Sequence, residues 1–371
     1  MNKIVRFISF DKVNDQIKNK LIDSFKNFID NQNYVLGKKV SDFEKQYARF
    51  NKVNYCIGVG NGLDAIVIAL RVLGIGKGDE VLVPSNTFIA TWLAVSSVGA
   101  IPVPVEPKID TYNIDPNCIT KKITNKTKAI IPVHLYGQAC EMDKIMEIAK
   151  INKLFVIEDN AQAQGATYGN QMTGSFGEIN ATSFYPGKNI GAFGDAGAIT
   201  TKNKKFAEST KMLRNYGSEI KYLNKIKGLN SRLDEIQAGF LSIKLSYLRR
   251  WNKDRQRVAK IYSHDLAGVG DLILPRIAAG ATTVYHQYVV CTHKRDTLQK
   301  FLFQKKIKTM IHYPIPPHLQ QAYSEFGYKR GDYPIAERLS ETTLSLPIYP
   351  YLDMTEQSYI INCIRKFFDE K

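Results

Sequence analysis

The sequence predicts an α/β protein with a large domain built on a mostly parallel sheet and a smaller C-terminal α+β domain. Short apolar runs alternate with helical patterns from about residue 54 onward, which is typical of strands that helices cover on both faces. After Trp251 the alternation gives way to more widely spaced strands and helices. A chain of 371 residues is long enough for about two domains and needs no disulfide or metal to stabilise its core.

The elements of the large domain follow one another in a regular order. The strand segments are NYCIGV, EVLVP, IPVPVE, KAIIPVH and LFVIED, and the helical segments include GLDAIVIALRVLG, FIATWLAVSSVG and MDKIMEIAKIN. Shorter strands are predicted at ATSFY and AGAITT, followed by helices at 204–215 and 233–249. Ser231 and Asp234 fit a capping box at the start of the second of these helices.

The small domain is predicted to begin after residue 250. The large domain then covers 1–250, the small domain covers 251–371, and the first thirty or so residues are candidates to pack with the small domain. Its strands and helices include VYHQYVVC, TLQKFLFQKKI and a final helix near 356–368.

Composition and charge narrow the class of protein. The net charge of +16 fits either a nucleic-acid binder or a lysine-rich protein without such a partner. The basic residues are spread along the chain, with no arginine-rich arm and no zinc-finger spacing, so we predict no nucleic-acid partner. The positive potential would also attract an anionic small-molecule substrate.

Several patterns bear on the cellular location. The five scattered cysteines form no Cys-x-x-Cys pair, and the histidines have no metal-ligand spacing, so we predict reduced thiols and no metal site.

Residues 81–105 carry no charge, but three prolines within them argue against a membrane-spanning helix. The N-terminus has no signal-peptide pattern. We therefore predict a cytoplasmic protein that does not enter a membrane.

The first of three turns at predicted strand ends is Gly58-Val59-Gly60-Asn61-Gly62. Strand ends are where open α/β sheets bind ligands, and the amides at a helix start suit a phosphate. A nicotinamide-binding fingerprint is the alternative, since Asp79 lies downstream. However, the glycines follow a G-x-G-x-G spacing instead of G-x-G-x-x-G.

The second turn contains Asp159, at the end of LFVIED. Burying an ionised carboxylate at this position costs free energy unless a positively charged group lies next to it. A protonated ring nitrogen would be such a group. The alternative is a carboxylate that caps a following helix.

The third turn contains Lys188, directly after Pro186-Gly187. Gly191, Gly194 and Gly197 follow it and would let the backbone approach a bulky ligand. A lysine that binds a carbonyl covalently needs such a fixed, desolvated position. A solvated surface lysine is the alternative.

Together these turns resemble those of the DegT/StrS-type sugar aminotransferases, which have the type I, aspartate aminotransferase-like fold and depend on pyridoxal 5′-phosphate (PLP). The similarity extends over essentially the whole chain. The segments that carry it are VGNGLDA, PSNTF, HLYGQ, EDNAQAQGA, SFYPGKNIGAFGDAGA, GLNSRLDEIQA and IHYPIPPH.

This resemblance implies a set of cofactor contacts. Lys188 would hold PLP covalently and later move a proton, and Asp159 would pair with the ring nitrogen. The remaining contacts would be Gln162 to the ring hydroxyl, Phe88 stacked on the ring, and Asn61, Gly62 and Ser183 at the phosphate. The alternative to ring stacking is that Phe88 is an ordinary aromatic residue of the hydrophobic core. Asn230, and with it Tyr222, would reach the phosphate across the interface of a homodimer.

The resemblance also implies the reaction. L-Glutamate would donate its amino group by way of pyridoxamine phosphate to a nucleotide sugar. PGKNIGAFGDAGA is most similar to enzymes that aminate C3 of a dTDP-linked 3-keto-6-deoxyhexose for glycan synthesis. Tyr185, His312 and Tyr313 are candidates for the substrate side, although the last two also fit a packing turn. Alternatives are a UDP-linked 3-keto-uronate, a 4-keto sugar, a PLP-dependent dehydratase (which would carry histidine in place of Lys188) and a DNA-binding regulator.

Overall fold

The computed structural model describes residues 4–369 and confirms the α/β fold. Its α-helices are α1 (Asp11–Asn31), α2 (Lys38–Asn51), α3 (Gly62–Val72), α4 (Ala90–Ser97), α5 (Pro116–Ile119), α6 (Met142–Asn152), α7 (Lys204–Leu213), α8 (Glu235–Leu245), α9 (Leu248–Asp265), α10 (Arg295–Gln304), α11 (Pro334–Thr342) and α12 (Met354–Asp369). Its strands are β1 (Tyr55–Val59), β2 (Glu80–Pro84), β3 (Ile101–Val105), β4 (Thr127–Ile130), β5 (Phe155–Val156), β6 (Thr167–Tyr168), β7 (Gln171–Met172), β8 (Asn180–Ser183), β9 (Gly197–Thr201), β10 (Ser218–Ile220), β11 (Leu223–Asn224), β12 (Tyr288–Cys291) and β13 (Thr343–Leu346).

The central sheet has a parallel half and an antiparallel half. The parallel half has the strand order β3-β2-β4-β5, and the other half has the order β1-β9-β8, in which both pairings are antiparallel. Asp159 joins the halves, because it forms a parallel bridge to Val133 on one side and to Ala181 of β8 on the other. The strands therefore form one continuous sheet whose seam lies at Asp159.

Helices cover this sheet on both faces, as the apolar strands predicted. In β2, Val81 and Val83 pack in one core cluster with Ile66 of α3 and Trp92 of α4. Leu82, which points to the opposite face, packs in a second cluster that contains Met142 and Ile145 of α6.

The C-terminal part of the chain has a hydrophobic core of its own. The antiparallel pair β12–β13 packs there with α9, α10 and α12. Val5 belongs to this core and bridges to Ile307, whereas α1 packs against α8. The domain boundary after residue 250 stays a prediction, and that position lies inside α9.

Two details of the sequence prediction are wrong. The helix expected over 233–249 is divided, since α8 ends at Leu245 and α9 begins at Leu248. The capping box does not form: Asp234 caps α8 without a side-chain hydrogen bond, and the Ser231 hydroxyl is engaged elsewhere. Residues 81–105 form β2, α4 and β3, and no helix within residues 4–369 is both long and apolar enough to cross a membrane.

Candidate active site

Asp159 lies at the seam of the sheet, with 7% of its surface exposed. Its carboxylate accepts hydrogen bonds from Thr91 Oγ1 and from the Ala161 amide, each at 3.1 Å. Burial raises the pKa of this carboxyl, and the Ala161 contact, nearby Lys188 and the Thr91 contact only partly offset the effect. Turns follow Asp159 in place of a helix, so the helix-capping alternative does not apply.

Lys188 lies on the turn after β8, where its amide donates to the Tyr185 carbonyl at 2.8 Å. Desolvation lowers the pKa of its amine to about 8, while the charge of Asp159 acts in the opposite direction. Burial and the charge of Lys188 lower the pKa of His312 to about 4, and they lower that of His286 well below its usual value. Lys188 is half-buried near these groups, so it is not an exposed surface lysine.

Two of the three glycines after Lys188, Gly191 and Gly197, approach the chain's own backbone, which corrects the sequence interpretation. A Cβ at Gly191 would lie 2.2 Å from the Pro186 carbonyl oxygen, and one at Gly197 would lie 2.4 Å from the Asn61 carbonyl oxygen. Behind this loop, the buried Lys244 donates to the Gly191 carbonyl at 2.6 Å. The loop is thus packed against the start of α3.

The start of α3 forms an anion-binding geometry. Asn61 caps the helix, since its Oδ1 accepts a hydrogen bond from the Asp64 amide at 2.8 Å. Gly62 is the first helical residue, and a Cβ there would lie 2.6 Å from Ser183 Cβ. The Ser183 side chain therefore lies against a helix N-terminus, whose free amides and dipole favour a phosphate.

A hydrogen-bonded group connects Gln162 with the segment that contains His312. Gln162 Oε1 accepts from the Tyr136 amide at 2.6 Å, and its Nε2 donates to the Tyr313 hydroxyl at 3.2 Å. The Tyr136 hydroxyl in turn donates to the His312 carbonyl. His312 Nδ1 lies 2.8 Å from Ser345 Oγ. These contacts thus connect the segment that contains His312 and Tyr313 to Gln162, and both the substrate side and a packing turn stay as predictions for it.

Two aromatic side chains assigned to the site are exposed. Phe88 is 53% exposed, and its ring centroid lies 5.4 Å from that of Tyr313. Tyr185, three residues before Lys188, is 58% exposed. Phe88 is therefore exposed and is not the ordinary core aromatic that was its alternative.

Asn230 and Tyr222 have exposed side chains in the single chain. Asn230 is exposed, and Tyr222 is 83% exposed in the turn between β10 and β11. Within residues 4–369, neither side chain hydrogen-bonds to another residue of the site. The same hairpin exposes Ile220 and Leu223, each with at least 60% of its surface accessible.

Sequence reasoning missed several residues that support the site. Thr91 holds the Asp159 carboxylate, and Ser231 Oγ accepts from the Gly60 amide at 3.0 Å while donating to Asp64 at 2.6 Å. These contacts join distant parts of the chain, so no local pattern marks them. Asn189, which hydrogen-bonds to His286, could have been noticed because it directly follows Lys188.

The donors of the site fit PLP. An amine with a lowered pKa, a buried carboxylate and a helix N-terminus occur together, and these are groups that suit an aldehyde, a pyridine nitrogen and a phosphate. Among residues 4–369, no group of three or more His, Cys, Asp or Glu side chains is arranged to hold a metal ion.

Comparisons with known proteins match this geometry. Residues 15–365 match the model of the DegT/DnrJ/EryC1/StrS aminotransferase family. The chain is 46% identical over 364 residues to dTDP-3-amino-3,6-dideoxy-alpha-D-galactopyranose transaminase from Aneurinibacillus thermoaerophilus, covering 98% of this chain and 99% of the relative.

Solved structures agree with the sequence match. The crystal structure of DesV from S. venezuelae, in complex with an intermediate, superposes with a TM-score of 0.97 at 42% identity, covering 99% of each chain. The structure of NtdA from Bacillus subtilis, with bound cofactor PMP, superposes with a TM-score of 0.93 at 30% identity, covering 100% of this chain and 86% of the other.

Proposed function

Since the chain belongs to the DegT/DnrJ/EryC1/StrS aminotransferase family, we propose that it transfers the amino group of L-glutamate to C3 of a dTDP-linked 3-keto-6-deoxyhexose. The product is the corresponding dTDP-3-amino-3,6-dideoxyhexose. The protein is a PLP-dependent aminotransferase. The observation that carries the proposal is the desolvated amine of Lys188 beside the buried carboxylate of Asp159. The name of the relative that is 46% identical supports the substrate class.

Bound PLP supplies an electron sink for the negative charge that develops on the amino-bearing carbon. Lys188 holds the cofactor and, once displaced by the amino donor, moves the proton from the donor carbon. Because the pKa of Lys188 is lowered to about 8, part of the amine is unprotonated at neutral pH and can act as a nucleophile or a base.

Asp159 keeps the ring nitrogen of the cofactor protonated. Its carboxyl is buried, and burial disfavours its ionised form when no cation is in contact. A protonated ring nitrogen would restore the charge on the carboxylate, so each group stabilises the ionised form of the other. Thr91 keeps the carboxylate in one orientation, since it donates to Oδ2.

The other cofactor contacts position the ring and the phosphate. Gln162 contacts the ring hydroxyl, and Phe88 stacks its exposed face on the ring. Asn61, Gly62 and Ser183 bind the phosphate at the start of α3. The support for this arrangement is the close approach of Gly62 to Ser183 and the exposure of the Phe88 side chain.

Tyr185, His312 and Tyr313 bind the nucleotide sugar. Support comes from the exposure of Tyr185 and from the pKa of His312, which burial and then the nearby charge of Lys188 lower to about 4. A neutral His312 can hydrogen-bond to a sugar hydroxyl without adding charge. L-Glutamate and the sugar use the same site in turn, so we expect ping-pong kinetics.

The enzyme acts as a homodimer, in which Asn230 and Tyr222 of one protomer reach the phosphate in its partner. Their exposure in a single chain and the apolar side chains of the β10–β11 hairpin support this proposal. The five cysteines are free, which suits a cytoplasmic enzyme, and the amino sugar would enter a glycan such as a lipopolysaccharide O-antigen or an S-layer glycan.

The first test is an absorbance titration of the purified protein with PLP and then with L-glutamate, with Lys188→Ala in parallel. We expect the wild type to form the absorbance band of lysine-bound PLP and to convert it to the pyridoxamine form with glutamate. We expect the variant to form no such band, because the amine that makes the covalent bond is gone. A band that persists in Lys188→Ala contradicts the assignment of the lysine.

The second test adds keto-sugar nucleotides to the pyridoxamine form. Recovery of the PLP band with a dTDP-linked 3-keto-6-deoxyhexose, and not with a UDP-linked 3-keto-uronate or a 4-keto sugar, supports the proposed substrate. Recovery only with one of the latter replaces it. Release of a dehydrated sugar without glutamate would indicate a dehydratase.

A further inference from the structure

Asn189, Asn252 and Gln164 have buried amide side chains to which the proposed mechanism gives no role. Asn189 and Asn252 are 4% and 6% exposed, and Gln164 is fully buried. Asn189 directly follows Lys188 in the sequence, and Asn252 comes from a distant element, α9. Burying an amide N–H group costs free energy unless it donates a hydrogen bond, so the acceptors show which segments these side chains connect.

Asn252 connects Asn189 to the backbone at Gln164. Its Nδ2 group donates to the Gln164 carbonyl oxygen at 2.8 Å, and a carbonyl oxygen can only accept. This contact fixes the orientation of the amide, so Asn252 Oδ1 accepts a hydrogen bond from Asn189 Nδ2 at 2.9 Å. The two segments approach closely, since a Cβ at Gly165 would lie 2.8 Å from Asn252 Nδ2. One side chain of α9 therefore connects the turn of Lys188 to the segment around Gln164.

The Asn189 amide has hydrogen-bond partners for both of its ends. In addition to its bond with Asn252, its Nδ2 group donates to the Val284 carbonyl oxygen at 3.1 Å. Its Oδ1 lies 3.2 Å from His286 Nδ1. Because both hydrogens of Nδ2 have an acceptor, the side chain cannot rotate without losing hydrogen bonds that water cannot replace in a buried position. The residue next to Lys188 is thus held in one orientation.

Gln164 continues the connection to Asp159 and to the proposed phosphate site. Its Nε2 group donates to the carbonyl oxygens of Ala161 at 3.1 Å and Ser183 at 2.8 Å. The Ala161 amide in turn donates to the Asp159 carboxylate at 3.1 Å. A continuous series of contacts therefore runs from the residue after Lys188 to the Asp159 carboxylate and to Ser183.

We propose that Asn252 is a positioning residue for the amino transfer. Through Asn189 it holds the turn that carries Lys188. Through Gln164 it holds the segment that orients Asp159, so the amine and the carboxylate keep a fixed separation. The inference rests on the proposed function, in which Lys188 moves the proton and Asp159 pairs with the cofactor ring. A proton transfer needs the amine within hydrogen-bond reach of the reacting carbon, and a displacement of about 1 Å can slow such a step by about 100-fold.

The test measures the half-reaction with L-glutamate in variants that break this connection. Asn252→Ala and Asn189→Ala each remove one of the two bonded amides, and a double variant removes both. Gln357→Ala is the matched control, because Gln357 is also a buried amide and donates to a carbonyl oxygen of α9, that of Val258, at 2.8 Å. The readout is the single-turnover rate at saturating glutamate for each molecule of lysine-bound PLP, followed by absorbance. Thermal unfolding gives the stability of each protein.

We expect Asn252→Ala and Asn189→Ala each to slow the half-reaction by about 10- to 100-fold. The double variant should be no slower than the slower single variant, because both side chains act through the same hydrogen bond. Gln357→Ala should lower the unfolding temperature but react at the wild-type rate. If one single variant does not fold, the other still breaks the same hydrogen bond and gives the result.

The outcomes distinguish this inference from the proposed function. If the wild type forms no lysine-bound PLP, or if L-glutamate does not convert it, the proposed function fails and the inference falls with it. If the wild type reacts but both single variants react within twofold of it, the positioning role is overturned while the proposed function stands. The same holds if Gln357→Ala slows the reaction as much as they do. Effects that multiply in the double variant would also overturn the connection.

Discussion

Replacing Asp159 with asparagine tests the reasoning about the buried carboxylate most directly. Asparagine has nearly the same shape, and its Oδ1 can keep the hydrogen bond from the Ala161 amide. Its Nδ2 group would then face Thr91, whose hydroxyl can turn to donate to Thr87 Oγ1, 3.1 Å away. The substitution therefore removes the negative charge and leaves the local hydrogen bonds satisfied.

The expected effect on PLP binding follows from the loss of one charge-assisted hydrogen bond. Such a bond to a charged group contributes about 1.5–3 kcal/mol, so the Kd for PLP should rise by about 10- to 100-fold. The half-reaction with L-glutamate should slow by on the order of 100-fold, as when one preorganised electrostatic contact is removed. Fluorescence titration gives the Kd, and single-turnover absorbance gives the rate.

Although the substitution should weaken PLP binding, it should not lower the stability of the PLP-free protein. Burial raises the pKa of Asp159 in the folded, PLP-free protein above its unfolded value of 3.8. Its ionisation therefore costs stability as the pH rises from the unfolded pKa through the folded pKa, by about 1.4 kcal/mol for each pH unit that separates the two values. We expect the PLP-free variant to be at least as stable as the wild type at pH 7, and the difference to vanish below the unfolded pKa.

Thermal unfolding of the PLP-free proteins at pH 7 and at acidic pH measures this difference. A variant that unfolds at a clearly lower temperature than the wild type at pH 7 would show that the charge of Asp159 stabilises the fold. An unchanged Kd for PLP would show that Asp159 does not pair with the cofactor. Either result refutes the reasoning.

Two further substitutions test the packing around the site. In Gly62→Ala, the new Cβ would lie 2.6 Å from Ser183 Cβ, so the start of α3 must shift. We therefore expect the Kd for PLP to rise at least 10-fold. A change below twofold would contradict the phosphate site. Burial lowers the pKa of Lys244 to about 8, so the wild-type free energy of unfolding should increase between pH 8 and 10.5. Lys244→Met should remove about 3 kcal/mol of that pH dependence, as measured by urea unfolding across this range. An identical pH dependence in both proteins would argue against a desolvated Lys244.

The sequence identified the parts of the site that depend on local pattern. Asp159 and Lys188 follow strands that their apolar runs reveal, and Gly62 opens a helix with clear periodicity. Because β2 is apolar at every position from Val81 to Pro84, the pattern also predicted that helices cover both faces of the sheet.

Other features depend on contacts between distant segments and left no local trace. The apolar pattern continues through Ser246 and Tyr247, so nothing in it marks the break between α8 and α9. Ser231 resembles a helix cap in sequence, but its hydroxyl bonds to Asp64 at the start of α3. The hydrogen bond between His286 and Asn189 likewise joins segments that are far apart in the sequence.

The seam of the sheet at Asp159 has a consequence for local unfolding. The Asn160 amide donates to the Ala181 carbonyl at 2.8 Å, and the Ala181 amide donates to the Glu158 carbonyl at 2.9 Å. These two amides tie the parallel half to the antiparallel half at the position of the carboxylate. Opening the seam would displace Asp159 before either half loses its own strand pairs. Hydrogen–deuterium exchange at Asn160 and Ala181 should therefore rise in step with the loss of PLP affinity in destabilised variants, ahead of exchange in β2 or β9.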